Sequence, residues 1–218
     1  MSEKIQNQFN NVKIENFIQG NNFVFNQPNP EEKKQPKEKK DTKKKVVFLS
    51  YNSEDTRIAD RIEKHLSHFS EIIIKRYTND VGTWESFKEF MKSIRQDDYA
   101  VFLISDVFLK SENCMFEVLE MMKEQTYQDK IFPAVIEREI YKPLGRIKYI
   151  RYWEQKCKEL EDALKEVEIT NSIEVANDLK CYKKIALSIS EFLNKVADMN
   201  NPDIGQVEFH IEKVIREN

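Results

Sequence analysis

Three stretches of the chain carry compact apolar runs of strand length: "KVVFLSYN" (Lys45 to Asn52), "YAVFLIS" (Tyr99 to Ser105) and "KIFPAVIE" (Lys130 to Glu137). Strands apolar on both faces must be covered on both faces, which is the signature of a parallel sheet between helices. "EIIIKRYTND" (Glu71 to Asp80) supplies a further strand. The segments between them change period. Ser53, with Glu54 and Asp55 behind it, predicts the cap of a helix whose apolar face is Ile58, Ile62, Leu66 and Phe69. A short loop around Gly82 leads into a helix with Trp84, Phe87, Met91 and Ile94 on one face, and Ser105 to Met122 reads as a third helix. The alternation predicts a three-layer α/β domain over residues 46–145. In such sheets functional groups gather beyond the strands' C-terminal ends, so the loops after Leu49, Thr78 and Ile104 are expected on one rim.

The flanks differ in composition. Residues 27–45 hold three of the six prolines and eight lysines against four acids, a local +4; the remainder of the chain then carries −7 of the total −3. Such a segment cannot bury a core and reads as a linker. Residues 1–26 ahead of it contain Val12, Ile14 and Phe17, a Gly-Asn-Asn turn, then Phe23 to Phe25, the pattern of a short strand pair that needs a partner. Residues 146–218 carry two stripes at 3-4 spacing, Ile150, Trp153, Cys157, Leu160, Leu164, Val167 and Val175, Leu179, Tyr182, Ala186, Ile189, Leu193, Val196. These predict an antiparallel helical pair packing on the α/β domain, with a short terminal helix after "ADMNNPDIGQ". "GRIKYIRYWEQKCKEL", where a fifth strand would fall, reads as helix.

Several chemistries are excluded early. No apolar stretch approaches the roughly 20 residues of a membrane span, and the N-terminus lacks a signal-peptide core, so a cytoplasmic protein without membrane contact is expected. A net charge of −3 gives no pull toward nucleic acid. The cysteines, Cys114, Cys157 and Cys181, are odd in number and scattered, which argues for reduced thiols and no metal site. Four glycines form neither a GxGxxG nor a phosphate-binding P-loop. His65 and His68 read as surface residues, and no Ser-His-Asp arrangement has support.

The carboxylates of "SDVFLKSENCMFEVLEMM" (Ser105 to Met122) are the open question. On a helix beginning near Ser111, Glu117 borders the stripe of Cys114, Val118 and Met121; periodicity alone favours a solvated surface carboxylate. Cys114 reads as a buried thiol.

Two motifs change that weighting. "VVFLSYNSED" (Val46 to Asp55) resembles the opening strand signature of Toll/interleukin receptor (TIR) domains, and Gly82 to Glu120 resembles the stretch that follows in bacterial members. The latter contains the family's Ser-x-x-Cys-x-x-Glu pattern as Ser111, Cys114 and Glu117; Asn113 stands where active members often carry Trp. The resemblance spans roughly residues 45–137 and implies a flavodoxin-like sheet. It further implies that Glu117 is catalytic in cleaving NAD+ at the nicotinamide–ribose bond. Ser50, Tyr51, Asn52, Trp84, Ser111 and Cys114 are then expected to line the nucleotide site, with NAD+ as substrate and no cofactor or metal. Active members commonly assemble through TIR–TIR contacts. A homo-oligomer is therefore expected, with Asp80, Val81, Gly82 and Thr83 as its assembly loop and residues 1–26 engaging a sensor or partner. The readings kept open are an NAD+ glycohydrolase of bacterial antiphage defence, a cyclase making a cyclic ADP-ribose isomer, and a non-catalytic TIR scaffold.

Overall fold

The computed structural model describes residues 44–77, 89–90, 93–168 and 172–217. Residues 1–26, nearly all of the Lys/Pro-rich stretch, the loop Asp80, Val81, Gly82 and Thr83, and Trp84, Phe87 and Met91 lie outside the described residues.

Strands β1 (Lys45–Ser50), β2 (Ile72–Lys75), β3 (Tyr99–Ile104) and β4 (Ile131–Val135) form one sheet in the order β2-β1-β3-β4. Every pairing is parallel: Val47 lies opposite Ile74 on one side and Tyr99 on the other, and Phe102 lies opposite Pro133. The alternation of side chains across a strand divides the core in two. Val47, Leu49, Val101 and Leu103 face one cluster, while Phe48, Ala100, Phe102 and Ile104 face the other. All six residues of β3 are buried. Pro133 sits on β4, an edge strand among the described residues, where a missing N–H is tolerated.

The first cluster is covered by α1 (Thr56–Leu66), through Ala59, Ile62 and Leu66, and by α7 (Val207–Glu217), through Val207, Ile211 and Ile215. Polar contacts also join these helices: Arg61 pairs with Glu208 at 3.2 Å, and a His65 ring nitrogen lies within hydrogen-bonding distance of Glu212 at 2.8 Å. The partly exposed Arg61–Glu208 pair contributes about 0–1 kcal/mol, against about 1.5–3 kcal/mol for each buried Val or Ile. The apolar stripe therefore does most to hold α7.

The second cluster is covered by α3 (Glu112–Met121), α5 (Pro143–Leu164) and α6 (Ile173–Asp198). Tyr149 and Trp153 of α5 are fully buried, and the Trp153 indole donates to the Leu109 carbonyl at 2.9 Å. The Trp153 and Tyr182 rings meet edge to face at 5.5 Å, joining α5 to α6. Among the described residues no fifth strand follows β4; α5 occupies the stretch Gly145 to Leu160, as its pattern predicts.

Two local expectations need correction. Ser53 is not the cap ahead of α1. A 3-10 turn, Ser53–Asp55, intervenes, and Asn52 caps it by accepting from the Glu54 N–H at 3.1 Å. Phe69 lies beyond the end of α1 but still packs on the core. The stretch from Ser105 to Met122 is also not one helix. It divides into α2 (Asp106–Lys110) and α3, because Ser111 adopts an extended backbone (φ −81°, ψ 126°) that ends one and caps the other. The short helix α4 (Tyr127–Lys130) then leads into β4.

Gly145 near the start of α5 is required by space. A Cβ there would lie 1.9 Å from the Glu139 carbonyl oxygen. Gly145→Ala is expected to lower stability by about 1–3 kcal/mol, although Ala is normally the better helix former by about 1 kcal/mol. Urea denaturation of the two proteins measures the sign.

Candidate active site

In a sheet of this order the chain leaves β1 toward β2 and leaves β3 toward β4, so the segments beyond these two central strands diverge and leave a crevice. A cleft of about 240 Å³ lies there. Its floor is the end of β1, with Leu49, Ser50 and Tyr51. Asn52, Ser53 and Thr56 form the wall leading into α1. The opposite wall is the first half of α3, with Ser111, Asn113, Cys114 and Glu117, and Tyr77 beyond β2 closes one side.

The halves of the cleft are tied together. Ser105, the cap of α2, accepts from the Phe108 N–H at 3.1 Å and donates to Asp55 at 2.5 Å, joining the loop after β3 to the loop after β1. Ser111 accepts from the Cys114 N–H at 3.4 Å and fixes the first turn of α3. One turn further, the Glu117 carboxylate receives the hydroxyl of Ser50.

Glu117 is the chemical centre of this arrangement. The residue is 5% exposed, and burial pushes its carboxyl up to about 8, against which the Ser50 hydrogen bond acts in the opposite direction. Ser50 itself is 1% exposed. The periodicity reading of a solvated surface carboxylate is thus overturned, because α3 is walled on that side by the end of β1. The Cys114 thiol is buried too; burial, then the neighbouring Glu117 charge, pushes it far above the usual thiol range. It is an inert wall and not a nucleophile.

Of the residues singled out from the sequence, Ser50, Tyr51, Asn52, Ser111, Cys114 and Glu117 meet in this one cleft. The candidates Trp84, Asp80, Val81, Gly82 and Thr83 lie outside the described residues. Ser53, Thr56, Tyr77 and Asn113 were not anticipated as lining residues. Asn113 precedes Glu117 by four positions, so helical spacing alone places it on the same face. His65 has a carboxylate neighbour, Glu212, that only the packing of α7 reveals. Among the described residues no group of three or more His, Cys, Asp or Glu side chains is placed to hold a metal. No helix there is long and apolar enough to cross a membrane.

A four-stranded parallel sheet covered on both faces, with a buried carboxylate at the β1/β3 crevice, defines a flavodoxin-like α/β domain with a candidate ligand cleft. Residues 47–167 match the family model of the TIR domain. That span is more than half of the 218 residues, and the chain belongs to the TIR domain family. No curated protein matches the chain in a sequence search.

The raised Glu117 carboxyl has a measurable consequence. Its folded value lies above the ordinary 4.5, so its contribution to stability is complete below about pH 4.5 and is lost as pH rises through about 8. The loss is about 1.4 kcal/mol per pH unit within that window. Glu117→Gln, which cannot ionise, is expected to melt near the wild type at pH 5 and several degrees above it at pH 8.5. Thermal unfolding at both pH values tests this.

Proposed function

We propose that the chain cleaves NAD+ at the nicotinamide–ribose bond, with Glu117 as the catalytic carboxylate. The observation that carries this reading is the burial of Glu117 at the β1/β3 crevice with the neutral Ser50 hydroxyl as its hydrogen-bond partner. The bond to be broken joins C1′ of the ribose to the pyridinium nitrogen. Nicotinamide departs neutral with the bonding electron pair, so no general acid is needed. Positive charge develops on the ribose in an oxocarbenium-like state. A carboxylate held in a dry cleft stabilises that charge far better than it would in water. Water then attacks C1′ and loses a proton, giving ADP-ribose.

Ser50 holds one carboxylate oxygen, which orients the group, and Cys114 and Leu49 supply apolar wall. The first turns of α1 and α3 both border the cleft, and the positive ends of two helices favour a phosphate-bearing ligand. The described walls enclose about 240 Å³, below the roughly 300–1,000 Å³ usual for small-molecule sites. That suits one end of a dinucleotide, and on this reading the loop Asp80 to Thr83 of a neighbouring copy completes the site. TIR domains commonly assemble through TIR–TIR contacts. Residues 1–26 are assigned to engaging a sensor or partner, and the biological role is that of a bacterial immune effector that depletes NAD+.

Wild type and Glu117→Ala are compared for NAD+ consumption at high protein concentration with a crowding agent, and products are resolved by chromatography. Nicotinamide release by the wild type, reduced at least about 100-fold in the variant, is the expected result, with linear ADP-ribose as second product. A cyclic product would replace the hydrolase by a cyclase, and no release under any assembly condition would return the chain to the scaffold class.

The pH profile is a separate test. Catalysis needs the ionised carboxylate, and kcat/KM reports groups of the free enzyme. It is expected to rise about tenfold per pH unit below about pH 8 and to level off above it.

A further inference from the structure

Arg76, immediately after β2, is 5% exposed, a rare state for an arginine. Its Nη1 donates to Asp60 at 2.8 Å and also to Glu63, both on α1. Its Nε donates to the Tyr51 hydroxyl at 3.0 Å, and its Nη2 reaches the same oxygen. The guanidinium carbon also lies 4.7 Å from the centroid of the Tyr51 ring. One buried cation therefore grips a single tyrosine by its hydroxyl and its ring together, while α1 anchors the cation.

Tyr51 follows Ser50, the residue bonded to Glu117, and lines the cleft. A tyrosine at the end of a strand is free to rotate about two side-chain torsions, and one whose hydroxyl takes two donors from a guanidinium 4.7 Å from its ring centroid is not. The two α1 carboxylates also more than balance the guanidinium charge. Arg76 with Asp60 and Glu63 sums to −1, so the clamp does not oppose positive charge developing in the cleft. An apolar residue in place of Arg76 would leave Asp60 and Glu63 without this cation and Tyr51 without these donors.

We infer that Arg76 is a positioning residue: it fixes Tyr51 as a rigid wall for the ribosyl-nicotinamide end of the substrate beside Glu117. This rests on the NAD+-cleaving reading above. Lysine cannot reproduce the clamp, since it offers a point charge and not a planar fork of donors.

The test combines kinetics with a measurement that needs no substrate. Arg76→Gln, Arg76→Lys, Tyr51→Phe and the Arg76→Gln/Tyr51→Phe double variant are assayed for kcat and KM with NAD+, each after its melting temperature confirms folding. Arg76→Gln and Tyr51→Phe are expected to raise KM about tenfold, with the larger part of the effect in KM. The double variant is expected to be no worse than the poorer single, because both act through one contact. Arg76→Lys is expected to recover stability but not KM. In tyrosine-labelled protein, the ring signal absent from Tyr51→Phe is expected to broaden or average in Arg76→Gln, while signals of distant tyrosines stay in place. Multiplying effects in the double variant, or an unmoved Tyr51 signal in Arg76→Gln, would overturn the inference. If the wild type cleaves no NAD+, the functional reading falls, and the ring signal still decides whether Arg76 positions Tyr51.

Discussion

Double coverage of the sheet is the constraint from which the rest follows. All six residues of β3 are buried, and a strand in that state needs helices above and below it. The chain meets the need by sending α1 and α7 to one face and α3, α5 and α6 to the other. Segments leaving β1 and β3 then part in opposite directions. The gap between them cannot be filled by either helical layer, and Ser50, Tyr51, Ser111 and Glu117 all border it. The site is thus a by-product of how a parallel sheet is wrapped, and its chemistry is set by which side chains face the gap.

Much of this was legible in the sequence. The strands announce themselves because a doubly buried strand tolerates few polar residues, and α5 and α6 because their stripes repeat over many turns. Ser50, Cys114 and Glu117 were legible as a constellation through motif resemblance. What periodicity missed has a local physical cause. Ser111 ends α2 by taking an extended backbone; the helix beginning near Ser111 was legible, and the separate short helix ahead of it was not. Glu117 was assigned to solvent because a helical wheel shows where a residue points but not what stands opposite. Here the end of β1, more than sixty positions earlier, stands opposite. Arg76 was invisible for the same reason, since its partners Tyr51, Asp60 and Glu63 converge only once α1 has packed beside β1 and β2.

Helix α3 carries its own control for the importance of Glu117. Glu120 lies one turn further along and is 2% exposed, as deeply buried as Glu117 at 5%. Glu120 is ion-paired with Lys123 and lies 3.7 Å from Arg95, so its charge is compensated within the protein. Glu117 has a neutral hydroxyl as its hydrogen-bond partner, and burial dominates its shift. A buried carboxylate with no cation beside it among the described residues opposes folding once ionised, and packing alone gives no reason to keep it. A ligand that brings positive charge into the cleft supplies the missing partner at the moment of binding. In the proposed reaction the nicotinamide ring of NAD+ would carry that charge, and as it departs the charge would pass to the ribose beside the same carboxylate. On that proposal, compensation left to the substrate is what distinguishes a working carboxylate from a structural one.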